Sequence, residues 1–209
     1  FMTKEEFPTS WTHLDEIAVR FTPWEVRQDT YLDGRIRTHT GAFQKVFSPI
    51  ICTFDGEKPT ELGYYPLMTV AQAESVLQTA VNAWNRGRGL WPTMPWQQRI
   101  VHMQRFLELM KQRRDAVVRI LMWEICKTSH DAFTEFDRTV EYIQKTIDEY
   151  RTLNEGTDAF RMTEGLLTRV PRKPLGVVLC MGPFNYPLNE TFTNMIPALM
   201  MGNIVIFKP

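Results

Sequence analysis

The stretch GPFNYPLNE, residues 182–190, places Asn185 between two prolines directly after the apolar run PLGVVLCM. Proline fixes its own φ and restricts the residue before it, so the turn that carries Asn185 is stiff. The apolar run predicts a buried strand, and open α/β sheets bind ligands beyond the carboxyl ends of their strands. We therefore predict that Asn185 lines a ligand crevice at the carboxyl end of this strand.

A second apolar run, NIVIFKP, ends the sequence and carries Lys208 at its carboxyl end. The segment between the two runs, PLNETFTNMIPALMMG, predicts a helix that Gly202 ends. Strand, helix and strand in this order predict a parallel crossover, which puts both strand ends on one rim. The turn at 182–187 is then the floor of a cofactor crevice and Lys208 its edge. The alternative is that Asn185 only caps the helix and that Lys208 reaches into solvent.

The cysteines and histidines do not predict a metal site. Cys52, Cys126 and Cys180 are widely spaced, without a CxxC pair, and the four histidines are scattered. We interpret all three cysteines as small buried side chains. Cys180 lies within an apolar run without a cationic neighbour, so it is not expected to be a nucleophile. The sequence lacks the GxGxxG and GxxxxGK[ST] phosphate cradles, so a nucleotide must bind in another way.

Composition excludes several classes of partner. In 209 residues, 24 basic side chains balance 24 acidic ones, so net charge favours neither nucleic acid nor an anionic membrane. The apolar runs are shorter than the roughly 20 residues of a membrane helix, and the start FMTKEEF is unlike a signal peptide. We expect a cytoplasmic chain with one large domain or two small ones.

The rest of the chain predicts strands followed by helices. Residues 29–68 are strand-like, with a hairpin turn at the DG of 33–34, and helical spacing begins behind a capping Thr69. The region 95–153 predicts three helices, with breaks near 114 and near 128–129. FRMTEGLLTRVPRKP then predicts an extended hairpin.

Two linked motifs resemble one family. PLGVVLCMGPFNYPLNE, followed by IPALMMGNIVIFKP, resembles the aldehyde dehydrogenase superfamily, whose members carry a Pro-Phe/Trp-Asn-Tyr/Phe-Pro turn and then Pro-Ala-Leu, Gly-Asn and Lys-Pro in this order. The resemblance implies an α/β fold in which N-terminal strands and helices lead into the first βαβ unit of a Rossmann-like parallel sheet. The implied divisions are 1–154 for the N-terminal strands and helices of the cofactor-binding domain, 155–173 for a hairpin like the family's oligomerisation segment, and 174–209 for the βαβ unit.

The same resemblance implies roles for the turn and for the lysine. Asn185 would donate its side-chain amide to the oxygen of a thiohemiacetal, which is what an oxyanion hole requires of a rigid neutral donor. Gly182 and Phe184 would contact the nicotinamide side of NADP or NAD. Lys208 would reach the adenosine ribose hydroxyls or the 2′-phosphate.

The sequence PFNYP resembles the turn found in the branch of the family that oxidises glyceraldehyde 3-phosphate without phosphorylating it. In that branch an Arg-Thr pair on an upstream helix reaches the substrate, and FDRTVEYI places Arg138 and Thr139 in the matching pattern. Arginine suits a phosphate monoester because its planar fork forms two charge-assisted hydrogen bonds, and Tyr186 would line the same pocket. The alternative is an Arg138 paired with an acidic residue of its own helix. Those residues are Glu135, Asp137 and Glu141.

In the family, the nucleophilic cysteine and the general-base glutamate lie downstream of the Lys-Pro strand, so we expect both beyond Pro209. The chain alone is then expected to be inactive, and the longer protein to oxidise an aldehyde, glyceraldehyde 3-phosphate, as a dimer or tetramer. One alternative is a general or semialdehyde dehydrogenase. Another is an inactive fragment or an interaction module.

Overall fold

A computed structural model describes residues 29–32, 35–51, 59–157, 160–169 and 172–208, which form a mixed α/β fold. The helices are α1 (Val70–Trp84), α2 (Leu90–Thr93), α3 (Trp96–Lys111), α4 (Arg114–Ile125), α5 (Ser129–Thr157) and α6 (Asn189–Met200). The strands are β1 (Asp29–Leu32), β2 (Arg35–Thr38), β3 (Phe43–Ile51), β4 (Pro59–Pro66), β5 (Arg161–Thr163), β6 (Leu166–Thr168), β7 (Val177–Met181) and β8 (Ile204–Lys208). None of the described helices is both long and apolar enough to cross a bilayer.

The chain divides into two compact units. The first contains the described residues up to Ser75 together with Arg113–Phe136, and the second contains Val76–Gln112 and the residues from Asp137 onward. The predicted turn of the β1–β2 hairpin, Asp33 and Gly34, lies outside the described residues, as does Cys52.

The first unit contains two antiparallel pairs, β1 with β2 and β3 with β4. Helix α4 packs on β3, and the Ser48 hydroxyl donates a hydrogen bond to the Trp123 carbonyl at 2.5 Å. Lys127 forms an ion pair with Glu135, whose side chain is only 1% exposed. A buried carboxylate needs such a partner, because its desolvation is otherwise uncompensated.

Capping residues explain where two helices begin. Thr69 and Gln72 form a reciprocal pair, in which each side chain accepts from the backbone N–H of the other, so α1 begins with a capping box. The Thr128 hydroxyl accepts from the Asp131 N–H at 3.0 Å and caps α5. The predicted division into three helices is confirmed. The short α2 lies between the helix that begins after Thr69 and the region 95–153.

The second unit contains the strand–helix–strand unit that the sequence predicted. Strands β7 and β8 pair in parallel, from Val177 opposite Ile204 to Met181 opposite Lys208, and α6 packs on both strands and on α3. Gly202 follows α6 at φ +91°, a value that favours glycine, and its N–H bonds the Leu199 carbonyl. The parallel crossover is therefore confirmed.

Side chains distant in sequence hold the carboxyl end of α6. Buried Arg99 donates to the Met200 carbonyl at 2.8 Å and to the Tyr150 hydroxyl at 2.8 Å. The Trp91 indole N–H donates to the Leu199 carbonyl at 2.9 Å. Arg99 thus satisfies a carbonyl that a helix end leaves without a helical partner, Trp91 adds a second donor to a carbonyl that Gly202 already bonds, and the positive charge lies at the negative end of the helix dipole.

Pro197 lies inside α6. Proline has no N–H, so it cannot donate to the carbonyl of Thr193 one turn earlier. The hydroxyl of Tyr142 on α5 donates to that carbonyl instead, at 3.1 Å. A side chain of α5 thus replaces the backbone donor that Pro197 removes.

The predicted extended hairpin is confirmed as β5 paired antiparallel with β6. Its turn, Glu164 and Gly165, has φ of 53° and 80°, the two positive values of a type I′ turn. Large apolar side chains of this hairpin region are exposed: Phe160, Met162, Leu166 and Leu167, each by more than 60%.

Candidate functional site

The turn that carries Asn185 follows β7 directly and is bonded to the first turn of α6. The Tyr186 carbonyl accepts from the Glu190 N–H at 3.3 Å. The Pro187 carbonyl accepts from the hydroxyl of fully buried Thr191 at 2.5 Å. Two prolines and these two hydrogen bonds fix the backbone of the turn on α6.

Asn185 is exposed, and its side-chain amide forms no hydrogen bond within the described ranges. The N-cap of α6 is Leu188, without a side-chain capping bond. The alternative that Asn185 caps this helix is therefore wrong. The arrangement holds the backbone in place and leaves a neutral hydrogen-bond donor open to a ligand.

Gly182 has an internal reason to be glycine. A Cβ built at this position would lie 1.8 Å from the Thr191 Oγ1 and 3.0 Å from the Thr191 Cβ. The absence of a side chain therefore lets the start of the turn lie against the first turn of α6. Whether Gly182 also contacts a cofactor stays a prediction.

The aromatic residues on either side of Asn185 are both exposed, Phe184 by 84% and Tyr186 by 43%. Large apolar side chains at this exposure are open to contact with a ligand or with another protein segment. Lys208 is exposed and is paired in the sheet with Met181, the residue before Gly182. The structure thus places Lys208 and the beginning of the turn at the same end of the two strands.

Arg138 lies on the exposed side of α5 and forms no ion pair with any described residue. Its acidic neighbour Glu141 instead pairs with Lys145 at 2.6 Å. The hydrogen bond from Lys145 holds the pKa of Glu141 below its ordinary value, and Arg138 adds a smaller electrostatic contribution. The second acidic neighbour, Glu135, pairs with Lys127. The guanidinium therefore has an open face for an anion.

The sequence did not predict a hydrogen bond between α5 and the start of α6. The Asn189 side-chain amide donates to the Thr139 hydroxyl at 3.2 Å, and Thr139 is fully buried. Thr139 follows Arg138, and Asn189 is the first residue of α6, four positions after Asn185. The bond therefore joins the helix of Arg138 to the helix that carries the turn.

Cys126 is exposed, so the interpretation of all three cysteines as buried side chains is wrong at this position. The Cys180 thiol is buried, and burial raises its pKa above the ordinary value. This agrees with the expectation that Cys180 is not the nucleophile, because a raised pKa disfavours the thiolate. No group of three or more His, Cys, Asp or Glu side chains suited to a metal ion occurs in the part of the chain that the structure describes.

Comparison with known proteins places these features in one family. The sequence profile described as "Aldehyde dehydrogenase family" matches residues 48–209. The chain is 29% identical to a Streptococcus equinus NADP-dependent glyceraldehyde-3-phosphate dehydrogenase over 153 residues, which cover 71% of this chain and 31% of the relative. It is also 29% identical to an Acinetobacter baylyi N-succinylglutamate 5-semialdehyde dehydrogenase over 141 residues, 68% of this chain and 28% of that protein.

A solved structure agrees with the sequence matches. The NADP complex of a Bacillus halodurans NADP-dependent glyceraldehyde-3-phosphate dehydrogenase superposes with a TM-score of 0.67 at 27% identity. The superposition covers 82% of this chain and 34% of that one. The chain thus spans about a third of the length of the proteins that it matches.

Proposed function

The chain belongs to the aldehyde dehydrogenase family, and from that premise we propose that it forms part of the active site of an NAD(P)-dependent enzyme that oxidises an aldehyde to a carboxylate. The observation that carries the proposal is the exposed amide of Asn185 on a turn bonded to α6. A donor fixed before the reaction stabilises developing negative charge without having to reorganise.

In the proposed reaction a nucleophile adds to the aldehyde carbonyl, and its oxygen becomes negative. The Asn185 N–H donates to this oxygen and stabilises the charged state more than the neutral carbonyl, so it lowers the barrier. The nucleophilic cysteine and the general-base glutamate belong, in this proposal, to a segment outside these 209 residues.

We assign the cofactor contacts to Gly182, Phe184 and Lys208. The exposed aromatic ring lies beside the donor in the turn, and the lysine lies at the end of the neighbouring parallel strand, where nucleotides bind in open α/β sheets. The donor set fits a dinucleotide, because an ammonium group has three N–H donors, which can bind ribose hydroxyls or a 2′-phosphate. NADP or NAD, when bound, supplies the hydride acceptor.

We propose glyceraldehyde 3-phosphate as the aldehyde. Arg138 supports this assignment, because its guanidinium is exposed and forms no ion pair with any described residue. Tyr186, in the same turn as Asn185, would line this pocket. The second candidate substrate is a semialdehyde, which the similarity to the Acinetobacter baylyi N-succinylglutamate 5-semialdehyde dehydrogenase favours.

One experiment separates the two candidates. The full-length protein is assayed with glyceraldehyde 3-phosphate and with glyceraldehyde, as wild type, as Arg138→Ala and as Arg151→Ala. Arg151 is a matched control on the same helix, where it pairs with Asp148 at 3.4 Å. Loss of a charge-assisted contact lowers kcat/KM for the phosphorylated substrate by about 10- to 100-fold in Arg138→Ala alone.

The unphosphorylated aldehyde is expected to be unaffected by Arg138→Ala. Equal losses on both substrates contradict the phosphate role of Arg138. A wild-type protein that oxidises N-succinylglutamate 5-semialdehyde and neither of these two aldehydes supports the semialdehyde candidate. A wild-type protein that oxidises none of the three contradicts the dehydrogenase proposal and favours an inactive fragment or an interaction module.

We propose further that the protein assembles with copies of itself through the hairpin β5–β6. The exposed apolar side chains of the hairpin support this, because an exposed apolar patch commonly marks an interface between proteins. The short strands also have edges that are unpaired among the described residues, and such edges accept further strands.

A further inference from the structure

The hydrogen bond between Thr139 and Asn189 lies where it can set the position of the turn that carries Asn185. Asn189 is the first residue of α6, and the turn before it is fixed to this helix through the carbonyls of Tyr186 and Pro187. A movement of the beginning of α6 is therefore transmitted to Asn185, four residues away. The bond from Asn189 to Thr139 restrains that movement against α5.

A second hydrogen bond between the same two helices occurs at matching spacing. The Tyr142 hydroxyl on α5 bonds the Thr193 carbonyl on α6 at 3.1 Å. Thr139 and Tyr142 are three residues apart, and Asn189 and Thr193 four, so each pair occupies one face of its helix. Two polar contacts one turn apart fix the axial register of α6 on α5, because a slip along the helix axis breaks both.

The burial of Thr139 indicates that it acts through Asn189. Its side chain is fully buried, whereas the preceding Arg138 is exposed. Asn189 is half-buried, so the bond is partly shielded from water, and a satisfied polar pair in such a place favours one arrangement over others. The family resemblance implied that both residues of the Arg-Thr pair reach the substrate. With Thr139 buried, only Arg138 is left for that role, and Thr139 has a different one.

We propose that Thr139 and Asn189 are positioning residues, which set the place of the Asn185 amide relative to the Arg138 guanidinium. This inference rests on the proposed function, because it assigns both of these groups to one substrate. Misplacement of a reacting group by about 1 Å costs up to about 100-fold in rate. The pair therefore affects kcat, through the position of Asn185, more than it affects folding.

The test uses the full-length protein as wild type and as Thr139→Val, Thr139→Ser, Asn189→Ala and Asn194→Ala. Valine has nearly the shape of threonine without its hydroxyl, and serine keeps the hydroxyl. Asn194 is the matched control, because it lies exposed on α6 and donates to the Glu190 carbonyl of the same helix at 2.9 Å. For each protein, kcat, KM and the exchange rate of the Glu190 amide hydrogen are measured.

Thr139→Val and Asn189→Ala are each expected to lower kcat by about 10- to 100-fold, with KM changed by less than about threefold. The double variant Thr139→Val/Asn189→Ala, measured alongside, is expected to lose less in kcat than the product of the two single losses, because both substitutions remove the same bond. Thr139→Ser and Asn194→Ala are expected to keep wild-type kcat. In the first two variants the Glu190 amide, which bonds the Tyr186 carbonyl in the turn, is expected to exchange faster than in wild type.

The readouts separate this inference from the proposed function. Unchanged exchange of the Glu190 amide in Thr139→Val contradicts the positioning role, whatever the activity. Faster exchange together with a wild-type kcat contradicts it as well. Faster exchange in a protein whose wild type oxidises no aldehyde supports the restraint of the turn and contradicts the proposed function.

Discussion

Replacing Tyr142 with phenylalanine tests how α6 is held, because the Tyr142 hydroxyl is the donor for a carbonyl that Pro197 leaves without its helical partner. The hydroxyl lies 3.1 Å from the Thr193 carbonyl, and the contact is partly buried. An acceptor that loses its donor in a buried place costs about 1–3 kcal/mol. Partial burial gives water some access, so we expect the free energy of unfolding to fall by about 1.5 kcal/mol.

Pro197→Ala is the control for Tyr142→Phe, because alanine restores a backbone N–H that can donate to the Thr193 carbonyl. In that background the carbonyl keeps a partner after Tyr142→Phe, and the loss is expected to shrink to about 0.5 kcal/mol. The difference, about 1 kcal/mol, is the coupling energy of the two positions. Tyr65→Phe, at an exposed tyrosine, is expected to change stability by less than about 0.5 kcal/mol.

The assay is equilibrium unfolding in guanidinium chloride for the wild type, both single variants and the double variant. The comparison requires equal m values, because a change in m indicates a change in the surface exposed on unfolding. If the changes in the free energy of unfolding of the two single variants add up to that of the double variant within about 0.3 kcal/mol, the two residues act independently. That result refutes the account of how α5 and α6 are joined at Pro197.

Three further predictions concern single residues. Cys126 follows α4 with φ of 57°, a left-handed conformation that glycine takes without the steric cost of a Cβ. Cys126→Gly is therefore expected to raise the free energy of unfolding, measured in denaturant, by about 1 kcal/mol, and a loss of stability contradicts this. Gly182→Ala places a Cβ 1.8 Å from the Thr191 Oγ1 and is expected to lower the free energy of unfolding by about 1–3 kcal/mol; Gly182 does not have a positive φ, so the loss reports the clash, and unchanged stability contradicts it. Leu166→Glu adds a charge to an exposed apolar hairpin and is expected to lower the molar mass measured by light scattering; an unchanged assembly argues against the hairpin as its interface.

The sequence predicted those parts of the fold whose causes lie close together in the chain. The break before α5 follows from Thr128, whose hydroxyl caps the helix. The end of α6 follows from Gly202, which takes a positive φ. Local patterns of this kind also predicted the parallel crossover and the turn that carries Asn185.

The contacts that hold α6 could not be predicted in the same way, because their partners are far apart in sequence. Arg99 and Met200 are 101 positions apart, and Thr139 and Asn189 are 50 apart. No local pattern indicates which helix faces which. One signal was available: Pro197 inside a predicted helix implies a carbonyl at Thr193 that needs a donor from elsewhere.

The role of Asn185 is tested most directly by kcat for aldehyde oxidation in the full-length protein, compared between wild type, Asn185→Ala and the control Asn194→Ala. We expect Asn185→Ala to lower kcat by about 100- to 1,000-fold, the usual loss for one oxyanion donor, with little change in KM. The control is expected to match the wild type. A kcat within about threefold of wild type in Asn185→Ala contradicts the account, since that factor is far below the loss expected for such a donor.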